Sequence, residues 1–339
     1  MSRLAVDAMG GDFAPRAIVE GIGEALDRGY PDLKVFVVGQ REKVEAELTR
    51  IGKLGDPRVE VVEAPEVIGM EESPASGVRS KRRSSINVAV DLVKSGEAQA
   101  VISAGNTGAA VASTVLKLRT LPGIERPGIA TVLPSSSGRF VLLDSGSTVD
   151  CKPIHLVHYA IMGDAYERYV LGKESPRIGL LNVGGEVQKG NELTKETFKL
   201  LKDMKGLNFI GNVEGHDLFS GGVDVVVCDG FVGNVVLKTC ESLASAIGSM
   251  LREALGKTVP RKLGYLLSRN AFREIRELCD YAEAGGAPLL GVNGICIIGH
   301  GSSCPRAVRN AIRVADDSIR HDVNAKIVGQ VRDLLNSTE

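Results

Sequence analysis

The sequence predicts an α/β layered fold built on a mainly parallel sheet. Three observations carry that prediction. Short apolar runs alternate with helix-period segments along the chain, many of the runs are near-continuous Val, Ile and Leu, and small polar turns follow several of them. Continuous apolar runs are expected of strands covered by helices on both faces. The strand–helix order argues for parallel pairing.

Strands are expected at Leu4–Ala8, Val35–Val38, Val59–Val62, Ala100–Ser103, Ile129–Leu133, Phe140–Leu143, Ile178–Asn182, Val223–Cys228 and Ile295–Ile298. Helical periodicity runs over Arg16–Asp27, Gln40–Ile51, Ser85–Lys94, Thr107–Leu118, Pro153–Tyr169, Glu192–Lys202, Gly233–Leu251 and Pro305–Leu335. Pro15 and Pro305 suit a first helical turn, where a missing N–H costs nothing. With no repeat, low-complexity tract or Pro-rich linker, residues 1–339 are expected to form a single domain.

Composition narrows the function. Of 339 residues 40 are Gly, where average usage of about 7% would give roughly 24. No G-X-Y period makes this collagen, and 43% hydrophobic residues argue against disorder. Lys and Arg total 41 against 42 Asp and Glu, a net charge of -1, and aromatics are only 4%. A basic nucleic-acid binder with stacking platforms is therefore excluded, so no nucleic-acid partner is expected. The first ten residues lack a basic then apolar signal pattern, and no run of 18 apolar residues occurs. The six cysteines show no CxxC pairing and read as reduced thiols. Together these place the protein in the cytoplasm.

The segment from Lys257 to about Cys279 stands apart. Six cations, Lys257, Arg261, Lys262, Arg269, Arg273 and Arg276, face two carboxylates, a local net of four positive charges. Leu263, Leu266, Leu267, Ala271, Ile275 and Leu278 recur at helical spacing, with Tyr265 and Phe272 on the opposite side. Either a break near Ser268–Asn270 makes two short helices or apolar residues project outward. The segment reads as a helix packed on its own core, a dimer helix, or a basic amphipathic membrane contact.

Standard nucleotide motifs fail. Gly256-Lys-Thr258 has the tail of a P-loop, but Leu251 stands where the first glycine belongs, and no G-x-G-x-x-G follows a strand. There is no G-x-S-x-G or H-E-x-x-H. Cys151, His155 and His158 fall near one helical face without a second cluster, so neither metal nor cofactor is expected. What remains is a set of strand-to-helix turns. Ser103-Ala-Gly-Asn-Thr-Gly108 ends a strand and opens a helix, whose first N–H groups and dipole favour an anion. Asn106 or Thr107 serves there as N-cap or as ligand contact. Cys228-Asp-Gly230 through Asn234, Gly299-His-Gly-Ser-Ser303 and Asp7-Ala-Met-Gly-Gly-Asp12 repeat the pattern. Four such turns point to one polar crevice for a phosphorylated or anionic ligand, beyond the carboxyl ends of the strands. Lys189, between glycines in Asn182–Asn191, is a cation for that ligand or a solvated lysine. His300 is a functional histidine or a turn histidine bonded to backbone.

Taken together and in this order, these segments resemble the bacterial phosphate acyltransferase family of phospholipid synthesis (the PlsX family). The matching pieces are DAMGGDFAP at 7–15, SAGNTGAA at 103–110, RPGIATVLP at 126–134, LLD at 142–144, CKP at 151–153 and DGFVGN at 229–234. EAGGAPLLGVNG at 283–294, GHGSS at 299–303 and NAIRVA at 310–315 complete the set. One departure is local: Ser145-Gly-Ser-Thr148 follows Asp144 where the family has a Gly-Ala-Asn element, so hydroxyls replace a carboxamide.

The resemblance implies a three-layer α/β/α fold like phosphotransacetylases and isocitrate-dehydrogenase-like enzymes. It implies transfer of a fatty acyl group from acyl carrier protein to inorganic phosphate, giving acyl phosphate. It also implies a homodimer peripheral to the inner face of the membrane, feeding a glycerol-3-phosphate acyltransferase. On that reading Ser103, Gly105, Asn106, Thr107, Gly108 and Ser302 bind phosphate, and Lys189 neutralises it. His300 and Asn234 polarise the thioester carbonyl or protonate the departing thiolate. Asp7, Gly10, Gly11, Asp12, Asp144, Asp229 and Gly230 complete the crevice. Leu263, Leu266, Leu267, Arg261, Lys262 and Arg269 contact membrane or carrier. The alternatives are an acetyltransferase using coenzyme A thioesters, a dehydrogenase of a phosphorylated hydroxy acid, and a non-enzymatic membrane-peripheral scaffold.

Overall fold

The computed structural model describes residues 1–28, 30, 32–279 and 285–336, with the backbone alone at 276–279 and 336. Strands β1 (Ser2–Asp7), β2 (Leu33–Gly39), β3 (Val59–Glu63), β4 (Ala100–Ser103), β5 (Gly128–Ile129), β11 (Ala287–Leu290) and β12 (Ile295–Ile298) form one sheet in the order β3-β2-β1-β4-β12-β11-β5. Pairing is parallel from β3 to β12, and β11 runs antiparallel to both its neighbours. Alternate side chains point to opposite faces of a strand. Leu4, Val6, Val35, Val37 and Ile102 therefore share one core with α1 (Arg16–Asp27), α2 (Arg41–Arg50) and α11 (Pro305–Arg320). Ala5, Phe36, Val38 and Val101 enter the opposite core with α3 (Pro74–Ser80), α4 (Ser85–Lys94) and α5 (Thr107–Leu118).

A second sheet takes the order β6-β7-β10-β8-β9, from β6 (Thr131–Ser135), β7 (Gly138–Leu143), β8 (Ile178–Leu181), β9 (Phe209–Val213) and β10 (Val225–Val227). Val141, Leu143, Val225 and Val227 pack on α6 (Pro153–Tyr169), α7 (Glu192–Asp203) and α12 (Val323–Asn336). Phe140, Leu142 and Val226 face the other way, against Val213 and Leu218. The α/β class and mainly parallel pairing hold, with the strands shared between two sheets. The run Ile129–Leu133 is not one strand. Ile129 pairs with Leu289 in the first sheet and Thr131 with Leu142 in the second, so the fully buried Ala130 carries the chain across.

Two further expectations need correction. The single C-terminal helix is two, because Asp322 takes a φ of 49° between α11 and α12. The halves serve different cores: α11 lies on α1, and α12 on α6. Strands β9 and β11 and helix α3 were not expected. The basic segment follows α8 (Gly230–Gly256), 27 residues and so about 40 Å long. It forms two helices, α9 (Val259–Leu267) and α10 (Arg269–Cys279), meeting at Ser268. Of α8, only Gly230 and Gly233 are buried. Among the described residues, no helix is long and apolar enough to cross a membrane.

Candidate active site

The turns after β1, β4 and β12 stack on one another, and glycine is what lets them. A β-carbon on Gly10 would stand 2.6 Å from the Gly105 nitrogen, and one on Gly11, at φ 101°, 2.9 Å from the Gly301 oxygen. The Asp12 N–H donates to that Gly301 oxygen at 2.8 Å. Behind them, the Ser103 hydroxyl donates to buried Asp7 at 2.7 Å and accepts the Gly105 N–H at 3.2 Å. Burial pushes the Asp7 carboxyl up, while the Ser85 and Ser103 hydroxyls and the Met9 and Gly10 N–H groups pull it back. Ser103 is thus held as part of the frame. Asn106 is too: its Oδ1 accepts the Ala109 N–H at 3.0 Å as N-cap of α5, and its amide donates to the Gly69, Met70 and Glu72 carbonyls. Thr107 is exposed at the start of α5.

His300 sits at the crest of the last turn. Its Nδ1 lies 3.2 Å from the Ser302 nitrogen and 2.8 Å from the Ser302 hydroxyl. An N–H must donate, so Nδ1 is an acceptor and the neutral ring carries its proton on Nε2. The Ser303 N–H and hydroxyl close the turn on the His300 carbonyl, at 2.9 and 2.5 Å.

The facing wall is organised by Asp144, which has no solvent exposure. It accepts N–H groups from Ile129 at 2.9 Å, Gly146 at 3.0 Å, Ser147 at 2.9 Å and Thr148 at 2.8 Å, and the Ser147 hydroxyl at 2.8 Å. Burial raises its carboxyl, and these bonds oppose the rise. The hydroxyls at the family departure therefore tighten this loop: the Ser147 hydroxyl also lies 2.7 Å from the Pro127 carbonyl. Thr148 accepts the Gly230 N–H at 2.8 Å, and Asp229 caps α8 by accepting from Phe231 and Val232. The first turn of α8 is thereby clamped to the loop and presents Asn234 beside Gly146. Thr131, which sequence reasoning passed over, and Ser145 of the family departure place their hydroxyls 2.6 Å apart on the same wall. Their pairing is long-range and leaves no motif.

Between these walls lies a cavity of about 1850 Å³. Sites for drug-sized ligands run about 300–1,000 Å³. Asp7, Asp12, Thr107, Thr131, Ser145, Asn234, His300 and Ser302 line one part. The rest is largely apolar: Leu133 of β6, Leu237, Ala244, Gly248, Leu251 and Leu255 of α8, Tyr265 of α9, and Phe272 and Ile275 of α10. Arg139, Lys238, Arg252 and Lys262 also border it.

Of the expected site residues, His300, Ser302, Thr107, Asn234, Asp7 and Asp12 share this cavity. Ser103, Gly105, Asn106, Gly108, Gly10, Gly11, Asp144, Asp229 and Gly230 form its supporting frame; a β-carbon on Gly108, for one, would meet Pro74 at 2.5 Å. Lys189 is not brought in: it is exposed on the β8–α7 loop, outside the lining. In the basic segment the side chains divide. Leu263, Leu266 and Leu267 are 57%, 61% and 81% exposed, whereas Tyr265 and Phe272, their rings 5.3 Å apart, turn to the cavity with Lys262. Arg261 donates to the Ala254 carbonyl and Arg269 is exposed. The glycine-rich loop that opens at Asp280 lies outside the described residues as far as Ala284.

Burial pushes the half-buried Cys151 and the buried Cys296 up to about 11 and the buried Cys228 up as well, so these three thiols stay protonated. His155 accepts the Lys152 N–H on Nδ1 and meets Glu125 through Nε2 at 3.1 Å, while burial lowers His158 to about 4. This pair fastens the 125–127 strand approach to α6.

Residues 2–326 match the profile of a family described as fatty acid synthesis protein. A phosphate acyltransferase of Citrifermentans bemidjiense is 50% identical over 98% of this chain and 93% of its own length. Among solved structures, a phosphotransacetylase from Streptococcus pyogenes superposes with a TM-score of 0.58 at 19% identity, covering 94% of each chain. A branched-chain phosphotransacylase from Enterococcus faecalis reaches 0.58 at 16% identity, over 95% of this chain and all of that one. At such identities these two structures speak for the fold.

Proposed function

The chain belongs to the fatty acid synthesis protein family of phosphate acyltransferases, and from that premise we propose that it moves a fatty acyl group from acyl carrier protein to inorganic phosphate. The observation that carries this reading is a single cavity with a polar turn at one end and a long apolar wall beyond it. An acetyl group would leave that wall bare, which favours a long-chain donor over acetyl-coenzyme A.

The chemistry asks little of the protein beyond placement. A phosphate oxygen attacks the thioester carbonyl carbon, forming the C–O bond and a tetrahedral oxyanion. Collapse breaks the C–S bond, giving acyl phosphate and the carrier thiolate, which takes a proton. Phosphate is already anionic at neutral pH and the leaving thiol is of cysteine type, with a pKa near 8.5, so no strong base or covalent enzyme intermediate is required. Alignment and oxyanion stabilisation supply the rate. The unpaired N–H groups opening α5 at Thr107 and the Ser302 side receive phosphate. His300, with its proton on Nε2, and the Asn234 amide polarise the carbonyl, and the departing thiolate takes up the proton that the attacking hydrogenphosphate releases. No metal or cofactor enters the scheme. Lys189, away from the cavity, acts at a distance by drawing the anion toward the crevice.

The bordering Arg139, Arg252 and Lys262 suit an acidic carrier protein, while Lys238 is paired with Glu241 at 2.8 Å. The exposed leucines of α9 suit contact with the inner face of the membrane, in a homodimer that passes acyl phosphate to a glycerol-3-phosphate acyltransferase. The test is release of carrier thiol from long-chain acyl carrier protein, with and without phosphate. Phosphate-dependent release that falls at least 100-fold in His300→Ala is expected. Release independent of phosphate, or none, overturns the reading and leaves the scaffold alternative.

A further inference from the structure

We propose that Gly248, partway along α8, sets the length of acyl chain that the cavity accepts. The inference rests on the reading that a thioester sits between His300 and Asn234. Gly248 lies fourteen residues beyond Asn234 on the same helix, about 21 Å along its axis. Fourteen residues are close to four whole turns, so the two positions share a helix face, and both line the cavity.

Glycine at this point has no explanation in the chain's own packing. Gly233, on the same helix, has main chain pressed against it, and a β-carbon on Gly21 of α1 would stand 2.5 Å from Val308. A β-carbon on Gly248 would meet nothing within 4 Å. A glycine inside a long helix weakens it, and the open volume over Gly248 belongs to the cavity. Beyond Asn234, Leu237, Leu243, Ala244, Ile247, Leu251 and Leu255 make the wall of α8 largely apolar, interrupted by Lys238, Glu241, Ser245 and Arg252, with Phe272 and Ile275 of α10 also bordering the space. An acyl chain leaving the carbonyl at Asn234 has this apolar direction open to it. An extended chain advances about 1.2 Å per bond, so roughly seventeen bonds bring its end level with Gly248. A side chain there blocks long acyl groups and spares those that end short of it.

The experiment measures phosphate-dependent thiol release by the full-length protein on acyl carrier protein bearing 8-, 12-, 16- and 18-carbon chains. In Gly248→Leu the ratio of kcat/KM for the 18-carbon to the 8-carbon donor falls at least tenfold from wild type. Leucine is the better helix former, so α8 is kept, which circular dichroism checks. Gly248→Ala, with a smaller side chain at the same point, lowers the ratio by less. An unchanged ratio in both variants overturns the proposal. So does a loss shared equally by all chain lengths, or one that tracks a changed oligomeric state in analytical ultracentrifugation, since a second copy of α8 would then own the space. If the wild-type protein releases no thiol from any donor, it is the function reading that fails instead.

Discussion

Gly233 on α8 stands against the main-chain oxygen of Asp144 so closely that a β-carbon there would overlap it. The helix bearing Asn234 is thereby seated directly on the loop that Asp144 gathers. In Gly233→Ala either the helix or the loop must shift. Overpacking of this kind costs about 1–3 kcal/mol, read as a lower urea midpoint, and turnover should fall at least tenfold because Asn234 moves with its neighbour. Gly329 of α12 is the control: a β-carbon there meets nothing within 4 Å. Gly329→Ala should add about 0.5–1 kcal/mol and keep activity.

Lys189 separates attraction from chemistry. If it draws phosphate from outside the cavity, Lys189→Ala raises KM for phosphate several-fold and changes kcat less than twofold. The difference between wild type and variant should shrink as salt is raised toward about 1 M, where screening acts within a few ångströms. A kcat loss comparable to that of His300→Ala would instead place the lysine at the reacting atoms.

Glu167 on α6 links stability to pH. It is 4% exposed, and its Oε1 has no hydrogen-bond partner. Burial, reinforced by Asp224 and opposed by Arg139 and Lys173, pushes it from 4.5 to about 7. The folded protein therefore holds a proton that the unfolded chain releases. The stabilising contribution is whole below about pH 4.5 and is lost as pH rises through 7. Glu167→Gln should flatten the fall in unfolding free energy between pH 5 and 8 and add about 1–3 kcal/mol at pH 8. Parallel pH profiles for the two proteins would refute this.

The outward leucines of α9 test the membrane contact. Leu263→Glu with Leu267→Glu should abolish co-flotation with anionic vesicles, while thiol release from soluble donor remains within about twofold of wild type, since neither residue lines the cavity. Unchanged flotation would remove the membrane role from α9.

Much of the framework was legible because local signals and tertiary packing agree. Runs such as Val35–Val38 announce strands buried on both faces, and Pro305 marks where a helix starts. The four glycine turns were legible as a candidate site because a strand end and a helix start at the same place leave unpaired N–H groups. What was hidden depends on partners distant in sequence. Ile129–Leu133 contains no turn residue, yet Ala130 switches sheets. Helical periodicity continues through Asp322, although the helix breaks where α11 hands over to α12. Thr131 and Ser145, and Asp144 and the Ile129 N–H, meet only after folding. The leucine spacing of 257–279 suggested a face without saying which way it points, and Tyr265 and Phe272 turn out to be the inward pair. Lys189 shows the converse: a motif-like loop position that folding does not carry to the cavity.

The place of β12 between β4 and β11 has a consequence for how the protein is made. Strands β1 to β4 are drawn from the first 103 residues, but the strand that covers the β4 edge is 295–298. Until the ribosome has released it, β4 offers unpaired main-chain groups to any passing strand, the condition that invites aggregation and chaperone capture. The same short strand delivers the turn bearing His300. A nascent chain therefore covers its β4 edge and gains the turn bearing His300 in one step, and a chain cut short before residue 295 does neither.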